Sequence, residues 1–188
     1  MPNLMANQII TYDEFLSLKN NSDDRLEYID DLVFMSPSPS IAHQRISGNL
    51  HALLWNFLKE KNCDVFSAPT DIELVKGSDK NLVIPDLSII CDKSGFTNNK
   101  YIGIPTLIVE ILSPSNQSHD LVTKMDLYMR YGVKEYWIIN PIKHSLDIYS
   151  LDDNGGYEQY CVRHKTGNIE SKVFKELNIS MEDILGNN

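Results

Sequence analysis

Cysteine is scarce in this 188-residue chain: Cys63, Cys91 and Cys161 are odd in number and widely spaced. No CxxC pair occurs, so neither a zinc knot nor a disulfide framework is indicated. The three read as reduced, mostly buried thiols of a cytoplasmic protein. Long apolar runs are missing too; the uninterrupted stretches are a few residues long, far short of a membrane span. The opening Met-Pro-Asn-Leu-Met-Ala-Asn-Gln lacks the basic and apolar regions of a signal peptide. A basic excess is also lacking. The formal net charge is −9, which argues against a broad nucleic-acid-binding surface, because phosphate contacts come mainly from Lys and Arg.

What is present suits one compact domain spanning residues 1–188, with 42% apolar residues to fill its core. The charge is uneven. Residues 1–31 hold seven acids (Asp13, Glu14, Asp23, Asp24, Glu27, Asp30, Asp31) against Lys19 and Arg25. Residues 161–175 hold Arg163, Lys165, Lys172 and Lys175 against Glu170 alone. A polyanionic partner is therefore tolerated only at a local groove or through a metal.

Along the chain, Thr11-Tyr-Asp-Glu14 is a capping box opening a helix from Tyr12 to about Leu18. Arg25–Ile29 and Leu32–Met35 flank Asp30-Asp31 as a hairpin. Ser36-Pro-Ser-Pro-Ser40 breaks the chain and offers Ser40 as an N-cap. Ile46, Leu50, Leu53, Leu54, Phe57 and Leu58 then recur at helical spacing within 41–61. Strands follow at Val65–Ser67, Asp71–Val75, Leu82–Cys91 and Pro105–Leu112, with 77–81 and 92–101 as loops. Alternation places Glu73 outward. A helix at about Asp120–Tyr131, stopped by Gly132, leads to strands at Glu135–Ile139, Leu146–Ser150 and Tyr157–Val162. Ser171–Phe174 reads as an edge strand and Met181–Leu185 as a last helical turn. The order describes an α/β layer fold in which a mixed sheet carries a helix on each face.

Two carboxylates interrupt the most apolar runs: Asp86 in Leu82-Val-Ile-Pro-Asp86-Leu-Ser-Ile-Ile90, and Glu110 in Thr106-Leu-Ile-Val-Glu110-Ile-Leu112. An ionised carboxylate taken out of water costs several kcal/mol unless it is paired, protonated or bound to a cation. Two on neighbouring strands repel each other and raise that cost. A divalent metal between them removes it.

Pro85-Asp86, then Glu110 twenty-four residues later, then Lys124 on the following helix, resembles the active site of the PD-(D/E)XK nuclease superfamily. More closely, the chain resembles the Uma family of putative restriction endonucleases. The matching stretches are Glu27-Tyr-Ile-Asp, Ser36-Pro-Ser-Pro-Ser with His43, Ile84-Pro-Asp86-Leu-Ser, and Leu107-Ile-Val-Glu110-Ile-Leu-Ser113-Pro-Ser. They continue through Asp120, Lys124, Tyr128, Gly132-Val-Lys-Glu-Tyr-Trp137 and Ile139-Asn-Pro141, covering roughly residues 10–185.

The resemblance implies a restriction-endonuclease-like mixed β-sheet core flanked by helices, with an N-terminal hairpin and a C-terminal β extension. It implies a metal-dependent nuclease acting on DNA foremost, with Asp86, Glu110, Lys124 and Glu27 as catalytic residues. Asp86, Glu110 and the main-chain carbonyl of Ile111 would hold Mg²⁺ or Mn²⁺, as oxygen ligands suit. His43 and Tyr128 are open between core packing and site lining. Lys124 taken alone is a surface lysine pairing with Asp120, and Glu27 alone could face solvent. The third motif position, usually lysine in the superfamily, is Leu112; on a helical wheel Leu121, Met125, Tyr128 and Met129 form the buried face, with Lys124 at its edge. Two alternatives remain: a nuclease-fold protein that binds without cutting, and a hydrolase of small phosphodiesters. A homodimer is expected from Tyr136, Trp137, Tyr149, Tyr157 and Tyr160, which gather aromatics toward the C-terminal strands.

Overall fold

The computed structural model describes residues 9–36, 38–113 and 119–186, with backbone alone at 119–121. Helix α1 (Tyr12–Asn20) precedes the hairpin of β1 (Leu26–Ile29) and β2 (Leu32–Met35), and the long helix α2 (Ile41–Leu58) follows. Next come β3 (Asp64–Ser67), β4 (Ile72–Lys76), β5 (Asp79–Val83), β6 (Leu87–Ile90), β7 (Tyr101–Ile102) and β8 (Leu107–Ile111). A π-helical segment, His119–Lys124, runs into α3 (Met125–Tyr131). The chain closes with β9 (Glu135–Asn140), β10 (Ser145–Leu151), β11 (Tyr157–His164), β12 (Asn168–Ile169), β13 (Ile179–Ser180) and α4 (Met181–Leu185).

The helix ends follow local chemistry. The Thr11–Glu14 capping box forms, Ser40 accepts from the His43 N–H, and Gly132 ends α3 in the left-handed conformation at φ 85°. At the hairpin turn Asp30 and Asp31 both take positive φ, 49° and 66°. That is the pattern of a type I′ turn. Local bonds hold it: Tyr28 Oη donates to Asp31, Asn81 Oδ1 accepts the Asp30 N–H, and Arg130 from α3 grips the Asp30 carboxylate.

Two larger sheets form rather than one. The first runs β2-β1-β5-β4-β7 and the second β11-β10-β9-β8-β6-β3; β12 and β13 make a separate small pair. The expected single strand Leu82–Cys91 is divided between them, because Ile84-Pro85-Asp86 leaves the ladder where proline cannot donate. Residues 79–81, read as part of a loop, instead join Leu82 and Val83 in pairing with β4. In the six-stranded sheet β8 and β9 are parallel and joined through α3, as the crossover length implied, while the other pairs are antiparallel.

One face of that sheet, with Leu107, Val109, Ile111, Trp137 and Ile139, packs on Ile46, Leu50, Leu54 and Leu58 of α2. The other, with Ile108, Leu112, Tyr136 and Ile138, packs on Leu127, Tyr128 and Tyr131 of α3 and on the five-stranded sheet. Phe15 of α1 closes a third cluster over the hairpin. Among the described residues no helix is long and apolar enough to cross a membrane.

Four further expectations are corrected. Cys63 and Cys91 form a disulfide, and only Cys161 is a free, buried thiol. The Asp64↔Ile90 register explains it, setting the two cysteines opposite each other just beyond the strand ends; their separation in sequence hides this, and the cysteine argument for a cytoplasmic location falls with it. Glu73 is buried and ion-paired with Lys100 rather than outward. Tyr136 and Trp137 are fully buried and Tyr149 and Tyr157 pack against the core, so of the five aromatics only Tyr160 stands in solvent. Ser171–Phe174 forms no strand. It wraps Glu135 instead, whose carboxylate accepts from Trp137 Nε1 at 3.0 Å, Ser171 Oγ at 2.9 Å, and the Val173 and Lys172 main-chain N–H groups.

Glu135 has 0% exposure, and its amide analogue would turn an NH₂ group toward existing donors. Glu135→Gln is expected to destabilise the fold by about 2–4 kcal/mol, measured as a lower urea midpoint. An unchanged midpoint would mean this buried acid does not anchor the C-terminal segment.

Candidate active site

Asp86 and Glu110 come together as neighbouring strands require. Leu87 pairs with Val109 across β6 and β8, and one further step of that antiparallel register sets Asp86 opposite Glu110. Alternation along β8 sends Glu110 to the same face as Ile108 and Leu112, toward α3. Leu112 itself is buried in that core cluster, so the third motif position is filled by an apolar side chain.

The cation comes from the helix. Lys124 Nζ lies 2.9 Å from Glu110 Oε1 and 3.0 Å from Glu27 Oε1. Tyr128, one turn on, donates to the same Glu110 oxygen at 2.8 Å. All are withdrawn from solvent: Glu27 is 2% exposed, and Glu110 and Lys124 are 3% exposed. The buried face of the helix is Lys124, Leu127, Tyr128 and Tyr131, with Met125 and Met129 only half-buried. Lys124 thus sits on the buried face rather than at its edge. The π-helical turn ahead of α3 shifts the phase from an ideal wheel, and two carboxylates compensate the ammonium. Asp120, the expected surface partner of Lys124, has its side chain outside the described residues. Burial, with the charges of Glu110 and Glu27 next, holds the Tyr128 phenol protonated well above its ordinary range. It therefore serves as a donor to Glu110.

Glu27 does more than pair with Lys124. Its Oε1 accepts the Ile84 N–H at 2.7 Å, which ties the hairpin to the stretch leading into Asp86. Asp86 Oδ2 accepts the Ile111 N–H at 2.7 Å and lies 3.1 Å from His43 Nε2. His43 is thus brought to the site, as are Tyr128, Glu27 and Ile111.

Asp86, Glu110, Lys124, His43 and Ile111 line one cavity of about 300 Å³. Gln44, Ser47 and His51 of α2 and Arg25 at the end of the hairpin line it too. Sequence reading assigned nothing to His51 or Ser47. The signal was the spacing: His43, Ser47 and His51 recur every fourth residue, a polar stripe on a helix whose other faces are apolar or exposed.

Three carboxylates (Glu27, Asp86, Glu110) face one ammonium, and His43 adds charge only when protonated. These four groups carry two negative charges in excess, which the exposed Arg25 at the cavity wall and a protonated His43 would each reduce by one. Among the described residues no three His, Cys, Asp or Glu side chains form a ready-made metal cluster. Two carboxylates with a main-chain oxygen and water are the donor set of Mg²⁺, which keeps several waters and does not need an all-protein cage. The oxygen donors fit such an ion better than zinc, whose usual sites add Cys or several His ligands.

The charge balance can be tested without any ligand. Lys124→Met leaves two buried carboxylates uncompensated and is expected to cost about 3–5 kcal/mol in urea unfolding. Adding Glu27→Gln to that variant should restore part of the loss. Additive losses would show that the three groups do not form one electrostatic unit.

Known proteins share the family pattern and the fold of this chain. The pattern of the Uma2 family, described as "Putative restriction endonuclease", matches residues 12–182. An uncharacterized protein of Synechocystis sp. is 27% identical over 146 residues, covering 77% of this chain and 76% of its own length. A second from the same organism is 25% identical over 145 residues, covering 76% and 81%. The crystal structure of "a putative nuclease belonging to DUF820" from Anabaena variabilis superposes with a TM-score of 0.76 at 21% identity, covering 94% of this chain and 97% of that one. That likeness fixes the restriction-endonuclease-like fold, and the match over residues 12–182 makes this chain a member of the Uma2 family.

Proposed function

We propose that the protein is a metal-dependent phosphodiesterase that cuts nucleic acid, with DNA as its substrate and Mg²⁺ or Mn²⁺ as its cofactor. The observation that carries this reading is the meeting of Asp86, at the entry to β6, with the buried Glu110 of β8 at one cavity, where Lys124 is the one buried ammonium against them and Glu27. Asp86, Glu110 and the Ile111 carbonyl would hold the ion. When bound, it supplies charge stabilisation to the phosphate and acidifies a water.

The chain's own residues do the rest. Tyr128 and Lys124 fix the Glu110 carboxylate, and His43 with the Ile111 N–H fixes that of Asp86. Glu27 restrains the approach to Asp86 through Ile84. Lys124 is the full positive charge nearest the reacting phosphate, where it offsets charge that builds in the transition state. A homodimer belongs to this proposal on charge grounds, because two subunits double the cationic contacts available to a duplex.

The size of the cavity favours one competing reading, a hydrolase of small phosphate diesters. Purified protein with saturating Mn²⁺, tested on plasmid, single-stranded DNA and a chromogenic phosphodiester, separates the two. Cleavage of the nucleic acids is expected, and Lys124→Ala should lower the single-turnover rate by about 10²-fold while folded protein retains the ion. Cleavage of the chromogenic ester alone would transfer the reading to small diesters. An unchanged rate in Lys124→Ala would remove Lys124 from the chemistry.

A further inference from the structure

A second cleft, of about 500 Å³, lies along the other flank of the same stretch of α2. His43, Gln44 and Ser47 face the first cavity, whereas Ala42, Arg45 and Ile46 line this one. Arg45, His144 and Lys165 gather there against one acid, Glu182. Glu182 already accepts the Gly167 N–H at 3.2 Å. A cleft at the far end of α2 also gathers lysines, but there Lys61 and Lys93 are paired with Glu176 and Asp64.

Topology sets the cleft beside the carboxylates. Strands β8 and β9 are parallel, with Glu110 opposite Ile138. The turn of residues 141–144 that follows β9 therefore leaves from the same end of the sheet as Glu110. Lys165 follows β11, whose His164 pairs with Ser145, and its N–H donates to the His144 carbonyl at 2.8 Å. At about 4.8 Å between strands, β11 stands about 14 Å from β8. A nucleic-acid strand rising about 3.4 Å per nucleotide covers that in about four nucleotides. His144 and Lys165 both take left-handed backbone, φ 51° and 61°, which residues other than glycine adopt at a cost. Neither side chain makes an ion pair among the described residues.

We propose that this cleft is a phosphate-backbone subsite, holding the nucleic-acid strand that extends from the bond cut at Asp86 and Glu110. It deepens the nuclease reading and rests on it. A mainly acidic protein has no broad cationic surface, so its grip on a polyanion must be concentrated. Arg45 and Lys165 supply two phosphate contacts, and His144 a hydrogen-bond donor between them.

The test is binding of a fluorescent single-stranded oligodeoxynucleotide with Ca²⁺ in place of Mg²⁺, across a salt series. The triple variant Arg45→Gln/His144→Asn/Lys165→Asn removes the cations, and asparagine tolerates left-handed backbone. Its affinity is expected to fall about tenfold, and its log K against log[salt] slope to become shallower by about 1.4, at about 0.7 per lost contact. The control Lys61→Gln/Lys93→Gln removes two lysines beyond the far end of α2. Lys61 lies about 24 Å along the helix direction from Arg45, and this control is expected to bind as wild type does. Bis(p-nitrophenyl) phosphate, which needs only the first cavity, should be hydrolysed equally by all three proteins. Wild-type affinity and slope in the triple variant, or an equal loss in the control, would overturn the subsite. Loss of binding in the triple variant when the wild type with Mn²⁺ cuts neither plasmid nor single-stranded DNA would overturn the nuclease reading and leave the phosphate cleft supported.

Discussion

The arrangement at the centre of the molecule depends on one buried ammonium. Lys124 stands between Glu27 and Glu110 with all three side chains nearly removed from water. These groups come from a hairpin of one sheet, a strand of the other, and the helix between them. Removing charges from water costs several kcal/mol per ion, so the contact can persist only if all three elements are held in register. The structure supplies two clasps for that purpose. Arg130 ties α3 to the Asp30 turn, and Glu27 ties the hairpin to Ile84. The ion pair and the docking of the two sheets are one constraint.

Burial of an acid does not by itself mark chemistry, and Glu135 makes the distinction. Its carboxylate is as inaccessible as that of Glu110, yet neutral and main-chain donors surround it and it lines none of the cavities described above. It fastens the C-terminal segment to β9. At the cavity, by contrast, Glu27, Asp86 and Glu110 outnumber the one buried ammonium among them, Lys124. That excess, rather than burial, separates a site able to take a cation from an internal strut.

Much of this was legible in the sequence because the relevant patterns are local. The capping box at Thr11, the stripe of α2, Gly132 and the apolar runs around Asp86 and Glu110 each follow from short-range chemistry. What was hidden depended on partners distant in the chain. The disulfide of Cys63 and Cys91 is set by the register of β3 on β6. Glu73 is buried because Lys100 reaches it. Tyr136 and Trp137 suggested an exposed aromatic face only until both faces of β9 proved covered. The π-helical turn altered the phase of the last helical wheel, so Lys124 lies deeper than ideal geometry places it.

The central claim is that a divalent cation completes the charge balance at Asp86 and Glu110. Its most direct measurement is calorimetric titration of Mn²⁺ into the wild type and into Asp86→Asn and Glu110→Gln. Both substitutions preserve shape while each removes one negative charge. Binding to the wild type and its loss in both variants is the expected result; equal affinity in all three proteins would contradict it.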